Sequence, residues 1–339
     1  MHPGRLESPR SDIAADFRRA DIIGTILTGL VLAMVNTLLT IALMSLIFTG
    51  DLAEHLTTGI GLGLGASAVI GLIMGLGSGL DGLYAGVQDA SAAILGLAAA
   101  SVAVAVAAPT RLDTVIAMMI VTTFCTGVTL LAMGRFRLGE IARFVPFPVI
   151  GGLLAGTGYL IVVGSIDILG GLGEGMRPGS MWPGVALAAG FFISSRRGWS
   201  SRAYLALLGV GIVGFHVVLA VAGTDRAEAV DTGLLLGSFR SGPLWPGLTL
   251  GSLGTADWGA VLAQVPTLVP IFLIVPVTVL LSLSAFEVET RTDLRIGREL
   301  RVTGWANIAA GLLGGPPGYH YLADTLVARR LVGGRRGSA

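Results

Sequence analysis

Charged residues are scarce in this sequence. They make up 13% of its 339 residues, whereas soluble domains carry about a quarter. Hydrophobic residues reach 53%, and the mean hydropathy is +0.81. A chain of this composition cannot cover itself with an ordinary water-facing surface. It is therefore predicted to be embedded in a membrane.

Cysteine is almost absent, and neither sign of charge predominates. The one cysteine, Cys125, lies in an apolar run. Because a single cysteine has no second thiol to pair with, an intrachain disulfide and a thiolate metal site are excluded. The formal net charge is +1, and no basic stripe or RNA-binding motif occurs. Nucleic acid is therefore not an expected partner. Neither a metal nor an organic cofactor is predicted.

The common catalytic motifs are also missing. The sequence contains no His-Glu-x-x-His, Gly-x-Ser-x-Gly, Walker or Cys-x-x-Cys motif. Its longest polar connection has about 35 residues, too few for a cytosolic catalytic domain of typical size. An enzyme is therefore not predicted.

Glycine, in contrast, is abundant, with 51 residues. Gly71, Gly75 and Gly79 are spaced four apart, as are Gly61 and Gly65. This small-xxx-small pattern is typical of membrane helices that pack closely. It predicts helix packing rather than ligand contact.

The apolar segments predict ten spans in an all-α polytopic membrane protein. Arginine clusters follow spans four, six, eight and ten, whereas acidic residues follow spans one and seven. By the positive-inside rule, both chain ends face the cytoplasm. The predicted regions are a cytoplasmic tail at 1–19, spans one to four in 20–134, spans five to seven in 135–223, an extracytoplasmic connection at 224–257 and spans eight to ten in 258–339.

Two of these spans are predicted to be broken. Gln88 and Asp89 follow a glycine-rich stretch and open an alanine-rich helix, the third span. A second interruption lies near Gly318, where the tenth span starts. Free backbone N–H groups at such helix starts attract an anion without any basic side chain. The alternative for the first break is a water-exposed loop, with Asp89 as an ordinary N-terminal helix residue.

The two breaks are seven spans apart, and an odd repeat of this kind inverts the topology. The two half-helices are then expected to point their N-termini toward each other from opposite leaflets. This is the usual design of a midplane anion site in secondary transporters.

A carboxylate near the inner end of span eight is a candidate functional residue. Glu287 follows Ser284 by one helical turn, and a carboxylate inside a membrane helix is costly enough to indicate function. The alternative is an interfacial glutamate that pairs with Arg291 or Arg295.

Four further polar residues are candidates. Asn36 and Thr40 share one face of span one, where they either line a cavity or form interhelical hydrogen bonds. An unperturbed histidine titrates near neutral pH, which makes His320 a candidate. The alternative is that His320 only caps the chain at the interface. Asp324 is unusual for an anion binder and indicates a protonated carboxyl group or a counter-cation.

Several motifs carry a resemblance to a known family. Residues 85–95, Ala-Gly-Val-Gln-Asp-Ala-Ser-Ala-Ala-Ile-Leu, resemble the third-helix motif of the SulP family of inorganic anion transporters. The match is with the bacterial branch that reads Gly-Pro-Gln-Asp-Ala-Pro-Ala-Ala-Ile-Leu. The other family motifs follow in order at 143–152 continuing to 155–159, at 284–287, at Asp293, at 298–300, at Asn307 and at 314–320.

The resemblance implies a seven-plus-seven inverted-repeat fold with a core domain, a gate domain and elevator-like alternating access. Spans one to four and eight to ten correspond to the core, and spans five to seven to the gate. The resemblance also implies a homodimer in a bacterial inner membrane. By position, Glu287 is implicated in proton or sodium coupling, with Ser284 beside it. The implied substrate-binding residues are Gln88, Asp89, Ala90, Tyr319, His320, Ala323, Asp324 and Thr325.

The sequence departs from the family pattern at four positions. Val87 and Ser91 replace prolines, Ala323 stands where many members have serine, and Asp324 stands where they have a neutral or basic residue. The family has fourteen helices, usually followed by a cytosolic STAS domain, whereas this sequence ends just after the tenth. The second repeat is therefore expected to be incomplete.

The function expected from these features is secondary active transport of small inorganic anions of the sulfate or bicarbonate class, coupled to protons or sodium. One alternative is a membrane partner or sensor module of the same fold that does not transport. The other is a carboxylate or nucleobase carrier with the same architecture.

Overall fold

The computed structural model describes residues 22–80, 82–136, 138, 147–169, 181–199, 201–232, 234–235, 244, 250–291, 293–322 and 324–326. The predicted cytoplasmic tail and the candidate site residue Ala323 lie outside the described residues.

Helices dominate this part of the chain. Seven of them match the first seven predicted spans: α1 (Ile22–Ile47), α2 (Leu56–Gly77), α3 (Asp89–Ala105), α4 (Ala108–Arg135), α5 (Phe147–Leu169), α6 (Trp182–Arg196) and α7 (Ser201–Val221). A 3-10 helix, Gly50–His55, precedes α2. The second half contains the short helices α8 (Arg226–Asp231), α9 (Leu250–Thr255) and α10 (Trp258–Ala263), then the longer α11 (Val265–Thr290) and α12 (Ile296–Leu312), which match spans eight and nine.

Two short strands accompany the helices. Strand β1, Ala85–Val87, precedes α3, and strand β2, Gly318–His320, follows α12. Residues 322 and 324–326, which belong to the predicted tenth span, are again helical. Below, these residues are called the tenth-span helix.

Three helical segments among the described residues are long and apolar enough to cross a membrane, namely Gly50–Gly77, Ala108–Arg135 and Val265–Glu289. Four further apolar helices are shorter: Leu32–Ile47, Asp89–Ala105, Trp182–Ser194 and Ala206–Val221. The chain is therefore a multi-pass membrane protein. The full count of ten spans stays a prediction.

Span eight differs from its predicted form. The sequence of span eight contains prolines that could interrupt a helix, but α11 runs continuously through Pro270 and Pro276. Each proline removes one backbone hydrogen bond. Packing against neighbouring helices makes such a loss tolerable in membrane proteins.

Close backbone contacts join α4 to α12. A Cβ atom added to Gly304 would lie 2.8 Å from the Gly127 carbonyl oxygen, and one added to Gly134 would lie 2.8 Å from the Gly297 carbonyl oxygen. Neither position has room for a side chain. The small-residue packing typical of membrane helices is therefore formed here.

The glycines that the sequence pattern singled out do not form one such interface. A Cβ atom on Gly75 would meet nothing within 4 Å, and one on Gly71 would only touch the Ala85 carbonyl oxygen at 3.6 Å. Gly61 instead lies against the backbone of Leu244. The predicted close helix packing is therefore not found at Gly71 or Gly75, because regular spacing identifies a helix face but not its partner.

Two apolar clusters hold the helices together. The larger includes Met44, Leu95, Met118 and Ile271, and thus joins α1, α3, α4 and α11. The smaller consists of Ala66, Ile70, Met74, Ala85, Ala306 and Ala310. Because it combines residues of α2 and α12 with one of β1, the smaller cluster fixes the strands against these two helices.

Candidate functional site

The two strands form one antiparallel ladder. Residues 85–87 pair with 320–318, so that Gly86 lies opposite Tyr319. Two backbone bonds lengthen the ladder at its ends. The Gln88 N–H donates to the Pro317 carbonyl oxygen, and the Tyr321 N–H donates to the Tyr84 carbonyl oxygen, each at 2.8 Å. The ladder therefore connects segments more than two hundred residues apart.

Two helices start from opposite ends of this ladder. Helix α3 begins at Asp89, directly after β1, and the tenth-span helix begins shortly after β2. Both helix starts therefore border the ladder, because each follows one of its strands. The N-terminus of α3, with its partial positive charge, and the first helical residues after β2 thus lie in one region. The predicted pairing of the two breaks agrees with this geometry.

The Gln88 side chain lies in an unusual environment. It is fully buried, yet neither its amide nitrogen nor its carbonyl oxygen has a hydrogen-bond partner within the described residues. Its backbone is extended, as expected for the residue that precedes a helix. A buried polar group without a partner costs about 1–3 kcal/mol. A ligand that hydrogen-bonds to the amide would remove this cost.

Two carboxylates border the same region. Asp89 and Asp324 are both partly buried, and both act electrostatically on the hydroxyl group of Tyr319. An Asp89 side-chain oxygen accepts the N–H of the buried Ala90 at 2.8 Å. This bond is an ordinary one for an acidic residue at a helix start. The site therefore combines helix N-termini with acidic side chains.

Tyrosines fix the ladder from its sides. The Tyr321 hydroxyl donates to the Val87 carbonyl oxygen, and the Tyr84 hydroxyl donates to the Leu32 carbonyl oxygen. The Thr325 hydroxyl accepts the Tyr84 N–H at 3.0 Å. Thr325 therefore connects the two halves of the site. Sequence reasoning did not select Tyr84 and Tyr321, although both flank the glycine-containing strands.

Asn36 and Thr40 support β1 from α1. The Asn36 amide donates to the Ser67 hydroxyl at 2.8 Å, and the Thr40 hydroxyl lies 3.5 Å from the Asn36 carbonyl oxygen. A Cβ atom on Gly86 would lie 2.8 Å from that same oxygen. The interhelical hydrogen bond, one of the two predicted alternatives, is thus formed, and its position behind β1 makes it part of the site's support.

His320 points to the other face of the ladder. Because side chains alternate along a strand, His320 shares a face with Ala85, whereas Tyr319 shares the opposite face with Gly86. Its Nε2 atom lies 3.8 Å from an oxygen of Glu299, and the two side chains are 3% and 1% exposed. The Glu299 carboxylate accepts hydrogen bonds from the Ser78 hydroxyl and the Gly79 N–H.

Glu299 is a residue that sequence reasoning missed. It occurs in a family motif at 298–300, but it was not selected for the site. The available signal was a carboxylate in the first turn of an apolar helix, where a buried charge is costly unless it is paired.

Asn307 holds β2 from α12. Its side-chain oxygen accepts the Gly318 N–H at 2.9 Å, and its side-chain nitrogen donates to the Gly318 carbonyl oxygen at 2.9 Å. The amide thus pairs with Gly318 as a neighbouring strand would. The same nitrogen also donates to the Thr303 carbonyl oxygen at 2.8 Å.

The predicted coupling residues lie near the end of α11. A Glu287 carboxylate oxygen accepts the Leu294 N–H at 2.8 Å, and therefore holds the connection to α12. Ser284 is exposed. Arg291, which ends α11, adopts a left-handed conformation with φ 53. A coupling role for Glu287 and Ser284 stays a prediction.

Helix starts at two breaks inside an apolar helical bundle are also found in membrane transporters built on broken helices. The model of the sulfate permease family matches residues 22–186 of this chain. The predicted resemblance to the SulP family is thereby confirmed.

A solved structure shares the fold. The transmembrane domain of the cyanobacterial bicarbonate transporter BicA aligns with a TM-score of 0.63 and 21% identity, over 92% of this chain and 77% of that one. The family model and the shared fold are both those of transporters.

A curated relative is the vacuolar basic amino acid transporter VSB1 of Saccharomyces cerevisiae. It is 24% identical over 225 residues, which cover 61% of this chain. The matched region spans only 22% of the length of that protein.

Proposed function

We propose that this protein is a secondary active transporter of small inorganic anions of the sulfate or bicarbonate class. The substrate lies between the N-termini of α3 and the tenth-span helix. The observation that carries the proposal is the buried Gln88 amide, which has no partner among the described residues and lies where the two helix starts converge.

The physical basis is the polarity of this region. An anion there gains from two helix dipoles and from the amide donor of Gln88. The Tyr319 hydroxyl supplies a further donor on the same face of the ladder as Gly86. BicA, which shares the fold, is named a bicarbonate transporter.

Alternating access completes the proposal. Residues 20–134 and 258–339 form the core and 135–223 form the gate, and the two move against each other like an elevator. Supporting this division, the ladder ties α3 to the tenth-span helix, and α12 packs along both α4 and α2. Within the gate, α6 packs against α7. The transporter acts as a homodimer in a bacterial inner membrane with a cytoplasmic N-terminus.

Transport by the purified protein tests this proposal. In proteoliposomes, radiolabelled sulfate and bicarbonate are offered to the wild type, to Gln88→Ala and to Gln264→Ala. Gln264 is the matched control, because its amide donates to the Ser101 hydroxyl at 2.9 Å, away from the ladder. Gln88→Ala is expected to weaken anion affinity about tenfold, the effect of one lost hydrogen bond to a charged group. Equal affinity of all three proteins would contradict the proposal.

A cationic amino acid is a second candidate substrate. Asp89 and Asp324 place two acidic side chains near Tyr319, and VSB1 is named a basic amino acid transporter. Such a substrate has a carboxylate for the helix N-termini and a cationic group for the aspartates. Its uptake is expected to fail in Asp324→Asn, whereas anion uptake is expected to improve. Unchanged uptake of arginine and lysine in that variant would remove this candidate.

The same assay separates the remaining alternatives. Uptake of a dicarboxylate or of uracil, without sulfate or bicarbonate, would identify a carrier of another substrate class. Uptake of none of these compounds by the wild type would favour a partner or sensor module.

A further inference from the structure

A buried pair of ionisable side chains lies behind the candidate substrate site. The His320 and Glu299 side chains are 3.8 Å apart and almost fully buried. Neither nitrogen of the His320 ring has a hydrogen-bond partner within the described residues. The pair faces α2 and α12, whereas Tyr319 faces the opposite side of the same strand. The substrate role proposed so far does not explain this pair.

The Glu299 and His320 side chains differ in how many of their polar atoms have hydrogen-bond partners. The Glu299 carboxylate accepts hydrogen bonds from the Ser78 hydroxyl and the Gly79 N–H, and such bonds stabilise the charged form. A neutral His320 leaves its ring nitrogens unpaired. Adding one proton to the ring creates a cation beside the carboxylate, and the two charges compensate each other. The pair therefore has two states that differ by one proton.

We propose that the His320–Glu299 pair is the binding site of the coupling proton; this inference rests on the proposed transport function. The His320 imidazole accepts a proton at Nε2 from water on one side of the membrane and becomes an imidazolium. Glu299 stays ionised and stabilises that cation. The proton returns to water on the other side, so the pair is neutral histidine and carboxylate again.

The position of His320 explains how proton and anion influence each other. His320 directly follows Tyr319 in β2, and β2 pairs with the strand that leads to Gln88. A bound anion brings negative charge close to the ring and favours its protonated form. By linkage, the protonated ring raises anion affinity by the same factor. Binding of both together is the requirement for symport.

Within the described part of the chain, few other charged groups lie around the pair. Besides Glu299, α12 supplies Arg298, whose Nε donates to the Gly77 carbonyl oxygen at 3.1 Å, and the more distant Arg301. Asp89 and Asp324 act on Tyr319, across the strand, and the neighbouring titratable hydroxyls are those of Tyr84, Tyr319 and Tyr321. Helix α2, strand β1 and the part of α11 before Glu287 contain no Asp, Glu, Arg or His. Among the described residues, His320 is the histidine that lies beside Glu299.

The test separates exchange from proton coupling. Proteoliposomes contain the wild type, His320→Gln or Glu299→Gln. Exposed residues give the matched controls His216→Gln and Glu228→Gln. Sulfate and bicarbonate counterflow is measured without a pH gradient, and accumulation is measured with one. Proton uptake on adding sulfate or bicarbonate is measured in weakly buffered detergent solution, between about pH 5 and 8.

The expected results differ between the variants. His320→Gln loses proton uptake, and its gradient-driven accumulation falls about tenfold or more relative to its counterflow. Glu299→Gln shifts the pH profile of accumulation to lower pH, because the imidazolium loses its counter-charge. Both controls behave as the wild type does. His320→Asn serves as a second variant if His320→Gln does not fold.

The outcomes that overturn the inference are distinct from failure of the proposed function. Wild-type counterflow together with normal proton uptake and accumulation in His320→Gln would remove the pair from coupling and leave transport standing. No wild-type counterflow of either anion would remove the anion-transport function and, with it, the coupling role. A loss seen only in Glu287→Gln would return coupling to α11.

Discussion

At the scale of single residues, the candidate site depends on positions where a side chain is either indispensable or impossible. Asn307 pairs with both backbone groups of Gly318. Gly318 itself has no room for a Cβ atom, which would lie 2.4 Å from both the Gly86 carbonyl oxygen and a methyl group of Ile70. The geometry of β2 thus depends on the Asn307 side-chain amide and on the absence of a side chain at Gly318.

Gly318→Ala is expected to disrupt the ladder. The added methyl group overlaps backbone that cannot move without breaking the strand pair, and such overpacking costs about 1–3 kcal/mol or more. The melting temperature in detergent and the anion affinity should both fall. Gly75→Ala is the matched control, because its methyl group meets nothing within 4 Å, and it should not lower stability. Equal melting temperatures would show that the ladder is not packed as described.

Asn307→Leu is expected to lower stability by about 1–3 kcal/mol for each Gly318 backbone group that it leaves unpaired. Asn307→Asp should cost less, since its oxygen still accepts the Gly318 N–H. Thermal unfolding of both variants checks this order. A leucine variant as stable as the wild type would mean that the two hydrogen bonds are not important.

Residue types alone identified part of the site. Gln88 and Asp89 were predicted because polar groups at a helix start within an apolar chain are conspicuous. Glu299 was not, because its importance comes from His320, which lies twenty-one positions later in the chain. The face of β2 on which His320 lies follows from pairing with β1. Spacing within one segment does not specify it.

At the scale of secondary-structure elements, the ladder depends on α12 keeping its place against α4. Helix α12 carries both Asn307 and Glu299, and its glycines allow backbone contact with α4. The position of one helix therefore determines two features of the site. These are the Asn307 hydrogen bonds to Gly318 and the buried His320–Glu299 pair.

Gly304→Ala is expected to move α12 away from α4. The new Cβ atom would lie 2.7 Å from the Leu131 side chain and 2.8 Å from the Gly127 carbonyl oxygen. The loss of close packing should lower the melting temperature and also weaken anion binding through the displaced ladder. Gly214→Ala in α7 is the control, since its methyl group meets nothing within 4 Å. Unchanged binding in Gly304→Ala would show that the ladder is independent of this interface.

The strands themselves were not predicted. Three-residue strands rich in glycine carry no alternating pattern of apolar and polar residues, and a single such segment has no stability of its own. They form because each provides the backbone partners that the other lacks.

At the scale of the whole molecule, the predicted orientation rests on the arginine clusters between spans. The nearly cysteine-free sequence makes a direct measurement possible. In a Cys125→Ala background, Glu228→Cys and Arg135→Cys place single thiols at exposed positions after spans seven and four.

A membrane-impermeant maleimide applied to intact cells is expected to label Glu228→Cys only. Labelling of Arg135→Cys should require permeabilised cells, because the positive-inside rule places that loop in the cytoplasm. The opposite pattern would invert the proposed topology, and labelling of both thiols from outside would contradict the number of spans between them.

By itself, the sequence determined the membrane environment, the two helix breaks and the resemblance to the SulP family. These properties follow from local composition and from short motifs. They depend on residues that are close together in the sequence and therefore do not require knowledge of the tertiary structure. The tertiary structure alone decided that the breaks pair as a ladder, that α4 and α12 meet through glycines, and that His320 lies beside Glu299. Each of these contacts joins distant segments, and the choice of partner depends on the packing of all the helices together.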